Sequence, residues 1–397
     1  MKSLNKSQLI IVLILSLLTA LEPFSIDLYL PSFLEISEYF NTSMSNVQLS
    51  LSIFLGGFAI GQLFWGPLAD KYGRKKPILL SLVIFTIASI ASVWVTKIEY
   101  LWVMRFFQAL GGCAGVVIAR AVVSDVFDKT KSLQVYGILM IIMGVAPIIG
   151  PIIGNVVQHY FSWKGVFILL GILGTLTLLI TLFFLPETAK VEEKGSEKGV
   201  LTTYKEIFVT PKFWQYTLFL GLTNSVFMLF LGYAPQIIIQ ELGFTSTEFS
   251  IIFAINAIGL MMGSNAPMLL KKWVSLRKLV GLLTIGLIGL TGMVTLSFMY
   301  QLNIYFILIQ LFLIVFIMGT FYTVFTDAAM QLFDEKNAAS ASSLLGGIMI
   351  GVSFIITILA GLIPTTTLQI IGLVLFVTSV LFILPLVSLK KRFLDWL

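Results

Sequence analysis

Four charged side chains of the first half stand inside stretches that are otherwise oily, Glu22 and Asp27 in the first such run and Arg105 and Arg120 in the fourth, while the second half has Asp327 near the inner end of the tenth. A fifth, Asp125, lies at the inner end of the fourth run. A charge at the centre of an apolar helix in a bilayer costs about 2.5–3.5 kcal/mol on insertion scales, so residues of this kind mark ion or substrate paths. Carboxylates and a guanidinium in such surroundings can take up and release protons, or hold a charged ligand.

Helical rise gives their depths. At about 1.5 Å per residue, a first span ending near Phe33 puts Asp27 about 9 Å below its outer end, and Glu22 about 7 Å deeper, near the midplane. A fourth span running inward from Glu99 puts Arg105 at a depth similar to that of Asp27, with Gln108 on the same face at i+3. Asp27 and Arg105 are therefore expected to face each other across a cavity, with Glu22 below them. A carboxyl's hold on its proton depends on whether a cation stands beside it. Making and breaking the contact as the cavity opens would load and release a proton, whereas a permanent contact would be a structural ion pair. Glu22, Asp27 and Arg105 form the expected proton-coupling set. Glu22 is either a second proton site, or an anchor for cationic ligands, or a protonated acid bonded to a neighbouring helix. Pro23 after it removes a helix hydrogen bond and is expected to kink the span.

The elements that position these groups must lie in a membrane. The chain has 397 residues, 58% hydrophobic and 11% charged, with mean hydropathy +1.01, outside the range of soluble domains. A net charge of +6 could suggest a nucleic-acid partner, but the distribution of bases excludes one. They cluster before the first span, at 71–76, 129–131, 190–212, 271–278 and 390–392, while the alternate loops hold only Lys97 and Lys164. That is the positive-inside pattern of a multi-pass protein with both ends cytoplasmic. One cysteine, Cys113, allows no intramolecular disulfide, and the lone His159 no histidine-based metal cluster. The N-terminal Lys2 and Lys6 before Leu9–Leu21 resemble a signal peptide, but no small-residue cleavage site follows, so this run is read as a retained first span.

Twelve spans are expected, at 8–33, 46–69, 77–96, 99–126, 133–158, 163–185, 213–240, 247–270, 277–299, 303–332, 338–362 and 366–389. The one long hydrophilic stretch divides them six and six. The expected organisation is a bundle at 1–185, a cytoplasmic linker at 186–212 and a bundle at 213–397. Two echoes between the halves suggest an internal repeat. Pro67-Leu68-Ala69-Asp70-Lys71 returns as Pro267-Met268-Leu269-Leu270-Lys271, and Val126-Phe127-Asp128-Lys129 as Leu332-Phe333-Asp334-Glu335-Lys336. The fold class is all-α integral membrane: twelve transmembrane helices in two pseudo-symmetric six-helix bundles.

Motifs narrow the reading. Gly66-Pro67-Leu68-Ala69-Asp70-Lys71-Tyr72-Gly73-Arg74-Lys75-Lys76 is a charged turn between two spans, with glycines where the chain turns sharply or packs closely. It resembles the loop between helices two and three of major facilitator transporters. Arg105-Phe106-Phe107-Gln108-Ala109 is similar to that superfamily's motif in helix four, with Ala109 in place of glycine. Gly144-Val145-Ala146-Pro147-Ile148-Ile149-Gly150-Pro151-Ile152-Ile153-Gly154-Asn155 resembles the helix-five motif of its antiporter branch, with Asn155 in place of the last glycine. Leu185-Pro186-Glu187-Thr188 resembles a further signature. Ser25 to Pro31, Ala119-Arg120-Ala121 with Asp125, Ser162-Trp163 and Ala338 to Gly346 resemble the Bcr/CflA group of drug-resistance transporters.

The resemblance implies proton-coupled export of small, largely apolar drugs or metabolites across the inner membrane by alternating access. A dedicated exporter, or an H+-symport importer, of one metabolite (a short peptide, amino acid or siderophore) is the alternative. It implies a latch of Gly66, Asp70, Gly73, Arg74 and Asp125, with Asp70 facing the start of the helix near Ala338 and holding the bundles together while the cavity faces outward. Gly150, Pro151 and Gly154 are the expected packing seam. Expected substrate contacts are Glu22, Tyr29, Gln108, Met143, Asn224, Phe227, Tyr233 and Asn256. No cofactor or metal is expected, the proton gradient supplying the energy. The expected partners are a small molecule, protons and lipid, with no nucleic acid, and the expected state is a monomer. With no nucleophile–base pair in the spans, enzymatic chemistry is not expected.

Overall fold

The computed structural model describes residues 5–189, 205–270, 273–333, 338–363 and 367–388. Helix α1, Lys6–Asp27, starts at a capping box in which Asn5 and Gln8 bond reciprocally, and passes through Pro23 without ending. Beyond Asp27 the chain tightens into a 3-10 turn at Leu30–Ser32, around Pro31, and resumes as α2, Phe33–Tyr39. Then come α3 (Met44–Tyr72), α4 (Lys75–Ala91), α5 (Ile98–Val126) and α6 (Lys129–Phe184). The second half holds α7 (Pro211–Pro235), a π turn at Gln236–Glu241, α8 (Ser246–Leu270), α9 (Leu276–Met299), α10 (Ile304–Met330), α11 (Ala338–Gly361), α12 (Leu368–Val380) and α13 (Ile383–Ser388). No strand occurs among the described residues.

Among the described residues, eleven helical segments are long and apolar enough to cross a membrane. One of them, Gln134–Phe184, has 51 residues, where about 20 suffice for a crossing. Ser162, at φ 58°, breaks it into two, which restores the expected twelve. Two boundaries differ from expectation. The first span does not end near Phe33, because Pro31 shifts the chain into a 3-10 turn rather than stopping it, and the helix resumes to Tyr39. Gly66 and Pro67 lie inside α3, which runs on to Tyr72; the turn itself is Gly73–Arg74, with Gly73 at φ 85°.

α3 packs on α5 and α11, α6 on α1, α4 and α8, α7 on α10 and α11, α8 on α10, and α9 on α12. The two sets of six spans thus meet along α3–α11 and α6–α8. Pro67 and Pro267 lie inside the corresponding helices α3 and α8, as the internal echo requires. Lys271 and residues 334–336, on which the rest of that echo depends, lie outside the described residues, as does most of the expected linker (190–204). A repeat that the sequence reading missed is Tyr29-Leu30-Pro31 against Tyr233-Ala234-Pro235. Each falls where the first span of its half leaves regular α geometry.

Candidate functional site

Three groups of polar side chains lie within the helices or at their ends. The first surrounds Arg105, which is fully buried. Its Nη1 donates to the Ser25 carbonyl at 2.9 Å and to Gln108 Oε1 at 2.5 Å. The guanidinium carbon lies 4.6 Å from the Tyr29 ring centre and 4.2 Å from that of Phe54. Gln108 Nε2 donates to Ser89, and the Tyr29 hydroxyl meets Ser50 at 2.8 Å. The Ser25 carbonyl is free for Arg105 because the Tyr29 amide bonds Ile26, three residues back, instead of Ser25. The 3-10 turn thereby creates the docking point.

The expected facing pair of Asp27 and Arg105 does not form. Among the described residues no hydrogen bond or ion pair reaches Asp27, which is 3% exposed, and Arg105 Nε and Nη2 have no partner. Asp27 instead stands against α6. A Cβ on Gly150 would lie 2.6 Å from the Asp27 Cβ, and one on Gly154 would strike the Leu28 backbone. The glycines of the span-five motif therefore let α6 close on α1 beside the acid. The same stretch of α6 also reaches the other half. Ser250 donates to the Pro151 carbonyl at 2.9 Å, and Asn155, where the motif's last glycine is expected, donates to Thr247 at 3.0 Å.

The second group faces both halves. Glu22 is half-buried and has no bonded partner among the described residues, while the charge of Arg120 and the phenol of Tyr322 lie within its electrostatic reach. Tyr322 donates to Asn224 Oδ1 at 2.6 Å, and its ring meets that of Phe227 edge-on at 6.2 Å. Tyr322 was not singled out in the sequence, since an aromatic in the apolar α10 has the spacing of ordinary packing. Of the other expected contacts, Met143 is half-buried beside Gly144, which opens toward Met261 of α8. Asn256 donates to the Ile252 carbonyl and leaves Oδ1 without a partner. Tyr29, Gln108 and Tyr233 are wholly enclosed: the first two hold Arg105, and Tyr233 follows Gly232, on which Gln48 of α3 packs.

The third group lies at the end that carries the 71–76 bases. Arg74 Nη1 pairs with Asp70 at 2.5 Å and its Nε with Asp125 at 3.0 Å. Burial works against the Arg74 charge, but the two carboxylates outweigh it and hold its proton more firmly than usual. Glu187 accepts from the backbone amides of Arg74 (2.8 Å) and Lys75 (3.2 Å), so it caps the N-terminus of α4. A Cβ on Gly73 would fall on that carboxylate, so the glycine serves both the turn and the cap. Among the described residues this network ties α3, α4, α5 and the segment after α6, all in the first half. The expected contact of Asp70 with the start of α11 is not among its bonds. The halves are joined at this end by Arg120 Nη1 donating to Ser342 (2.6 Å) and Ser343 donating to the Gln62 carbonyl (3.4 Å).

Partial burial of Glu187 opposes its charge, but amide donors from Ala189, Arg74, Lys75 and Thr188 hold it below the ordinary carboxylate value of 4.5. Its contribution to stability is thus full above that value and is lost as pH falls through the depressed one. Screening at this exposed site limits it to about 0.5–1 kcal/mol. Glu187→Gln is expected to lower the unfolding temperature slightly at pH 7 and to remove the part of the native protein's acid-induced loss that begins near pH 4.5. Thermal unfolding in detergent at several pH values reads both.

A groove of about 450 Å3 between α3 and α11, lined by residues including Ile53, Gly56, Ile60, Leu63, Gly351 and Phe354, is apolar and lies apart from the acids.

The profile of the Major Facilitator Superfamily matches residues 15–358. The MFS-type transporter YdgK of Bacillus subtilis (strain 168) is 30% identical over 392 residues, covering 98% of this chain and 97% of that protein. A bicyclomycin resistance protein homolog of Haemophilus influenzae is 36% identical over 190 residues, 48% of each chain. The multidrug resistance protein MdtM of Salmonella typhimurium is 29% identical over 228 residues, 56% of this chain and 54% of that one. In fold, the chain is similar to a D-xylose-proton symporter, with TM-score 0.77, 12% identity and coverage of 94% and 97%. It also resembles a bacterial homolog of the human lysosomal transporter Spinster, with TM-score 0.74, 16% identity and 96% coverage of both.

Proposed function

The chain belongs to the Major Facilitator Superfamily, and from that premise we propose that it exports small, largely apolar compounds in exchange for protons. The single observation that carries this reading is Asp27: a carboxyl enclosed at 3% exposure, free of bonded partners among the described residues, at the point where α1 leaves α geometry. A buried acid with no bonded partner is costly in a membrane and has no evident structural purpose. It does have a purpose if it must gain and lose a proton as the halves move.

The named relatives favour drug export over nutrient uptake, since a bicyclomycin resistance homolog and MdtM are among them. Apolar side chains such as Phe227, whose ring meets that of Tyr322, and Met143, beside Gly144 and the facing Met261, suit ligands of varied shape, because methionine and aromatic walls repack easily. On this reading the protein sits in the inner membrane as a monomer with both termini cytoplasmic, and it needs no cofactor. Two bundles, 1–185 and 213–397, rock about the stretch 186–212. The contacts at both ends of the interface, Asn155–Thr247 at one and Arg120–Ser342 at the other, are those that must break in turn.

Proteoliposomes acidified inside provide the test. Antiport predicts that the gradient drives a labelled drug into the lumen against its own gradient, and that collapsing the gradient stops it. Accumulation driven only by the opposite gradient would make the protein a symporter.

A further inference from the structure

Two opposite charges on the first half approach the same space without meeting. Gly115 of α5 packs on Leu18 of α1, and the two helices run in opposite directions. From that contact Glu22 lies four residues one way and Arg120 five the other, so their α-carbons are about 13 Å apart along the helices. Arg120 is exposed, and its Nη1 is steered by Ser342 of α11. No bonded partner among the described residues reaches the Glu22 carboxylate, although each charge is felt by the other. Tyr322 of the second half, tied to Asn224, lies within reach of the Glu22 charge.

On the two helices the residues between them are mostly apolar, Ala20 and Leu21 on α1 and Val116 to Ala119 on α5, so the separated acid and base can read a ligand at two points. A protonated amine suits Glu22. The same amine alone gains less, because Arg120 repels it and is left with no anion. A carboxylate alone meets the reverse arrangement. We propose that the site selects zwitterionic amphiphiles: an ammonium at the Glu22 end, a carboxylate or similar anion at the Arg120 end, and an apolar body between. This deepens the export reading by naming a substrate class, and it rests on that reading only for the location of the site.

The test is equilibrium binding without any gradient, so that it stands apart from transport. Four probes share one naphthyl-substituted hexyl body: one carries a terminal amine and a terminal carboxylate, one the amine alone, one the carboxylate alone, and one neither. Binding to the full chain in nanodiscs is read by naphthyl fluorescence anisotropy. The doubly charged probe is expected to bind about tenfold tighter than either singly charged one, the order of effect of one unit charge at this range in a partly polar setting. Glu22→Gln is expected to erase the advantage of the amine. Arg120→Gln is expected to erase that of the carboxylate, and Arg120→Lys to retain it. Equal binding of the amine-only and doubly charged probes by the native protein overturns the proposal, as does an unchanged ranking in a folded Arg120→Gln protein. If the glutamine variant does not fold, the native ranking and the lysine variant still decide. A zwitterion preference without flux in proteoliposomes would sink the export reading and leave this one standing. Flux of cationic or neutral drugs with no such preference would do the opposite.

Discussion

Asp27→Asn protein is expected to fold, bind and exchange ligand like the native protein, yet to lose uphill transport. Asparagine keeps the shape of the side chain, so α6 still closes on α1 through Gly150 and Gly154. What it lacks is a group that can pass a proton. In the native chain the Asp27 carboxyl is nearly sealed, without a bonded partner among the described residues. Its surroundings can change only if the α1–α6 contact, or the 3-10 turn beyond it, changes. The initial rate driven by a pH gradient is expected to fall by about tenfold or more, the effect of some 1.4 kcal/mol on the barrier. Counterflow, which needs no net proton movement, is expected to persist. Glu22→Gln is the matched control: it should alter which ligands bind more than it alters coupling. An Asp27→Asn protein that still concentrates substrate with native pH dependence would remove Asp27 from the mechanism.

The architecture was readable from long apolar runs and the clustering of bases, because a bilayer forces both. The network of Asp70, Arg74 and Asp125 was readable from a charged turn with fixed glycines. Glu187 sat in a quoted signature, but its role as a helix cap needed the fold, since more than one hundred residues separate it from Arg74. The Asp27–Arg105 pairing failed for a physical reason. Depth along two helices says how far along the membrane normal two groups lie, not which way each points. Nor could spacing reveal that a 3-10 turn at Pro31 would leave the Ser25 carbonyl open to Arg105. Gly66 and Pro67 misled because both residues mark turns in water-exposed chain, whereas within a packed bundle a proline is tolerated inside a helix.

Arg105→Met is expected to leave the fold almost as stable as the native one while abolishing gradient-driven transport. The guanidinium is sealed from solvent with two of its nitrogens, Nε and Nη2, unpartnered and no carboxylate bonded to it among the described residues. Burying such a charge costs several kcal/mol after relaxation. Two hydrogen bonds and the faces of Tyr29 and Phe54 offset part of that, each ring giving about 0.5–2 kcal/mol. Methionine has a similar reach, needs no hydrogen bonds and packs well against both rings. Its loss of bonds to Ser25 and Gln108 is therefore set against relief of the desolvation, and stability should change by no more than about 1–2 kcal/mol. Arg105→Ala, which empties the space between the rings, should cost about 3–5 kcal/mol. A charge retained at such cost, where an apolar residue would serve the fold equally well, must serve another conformation. The candidate is one in which α1 turns and brings Asp27 to the unpartnered face of Arg105. Thermal unfolding and proteoliposome flux on the three proteins separate the cases. A stable, inactive methionine variant supports that role. A stable and fully active one shows that the guanidinium takes no part in transport. A methionine variant as unstable as the alanine variant assigns Arg105 to the fold alone.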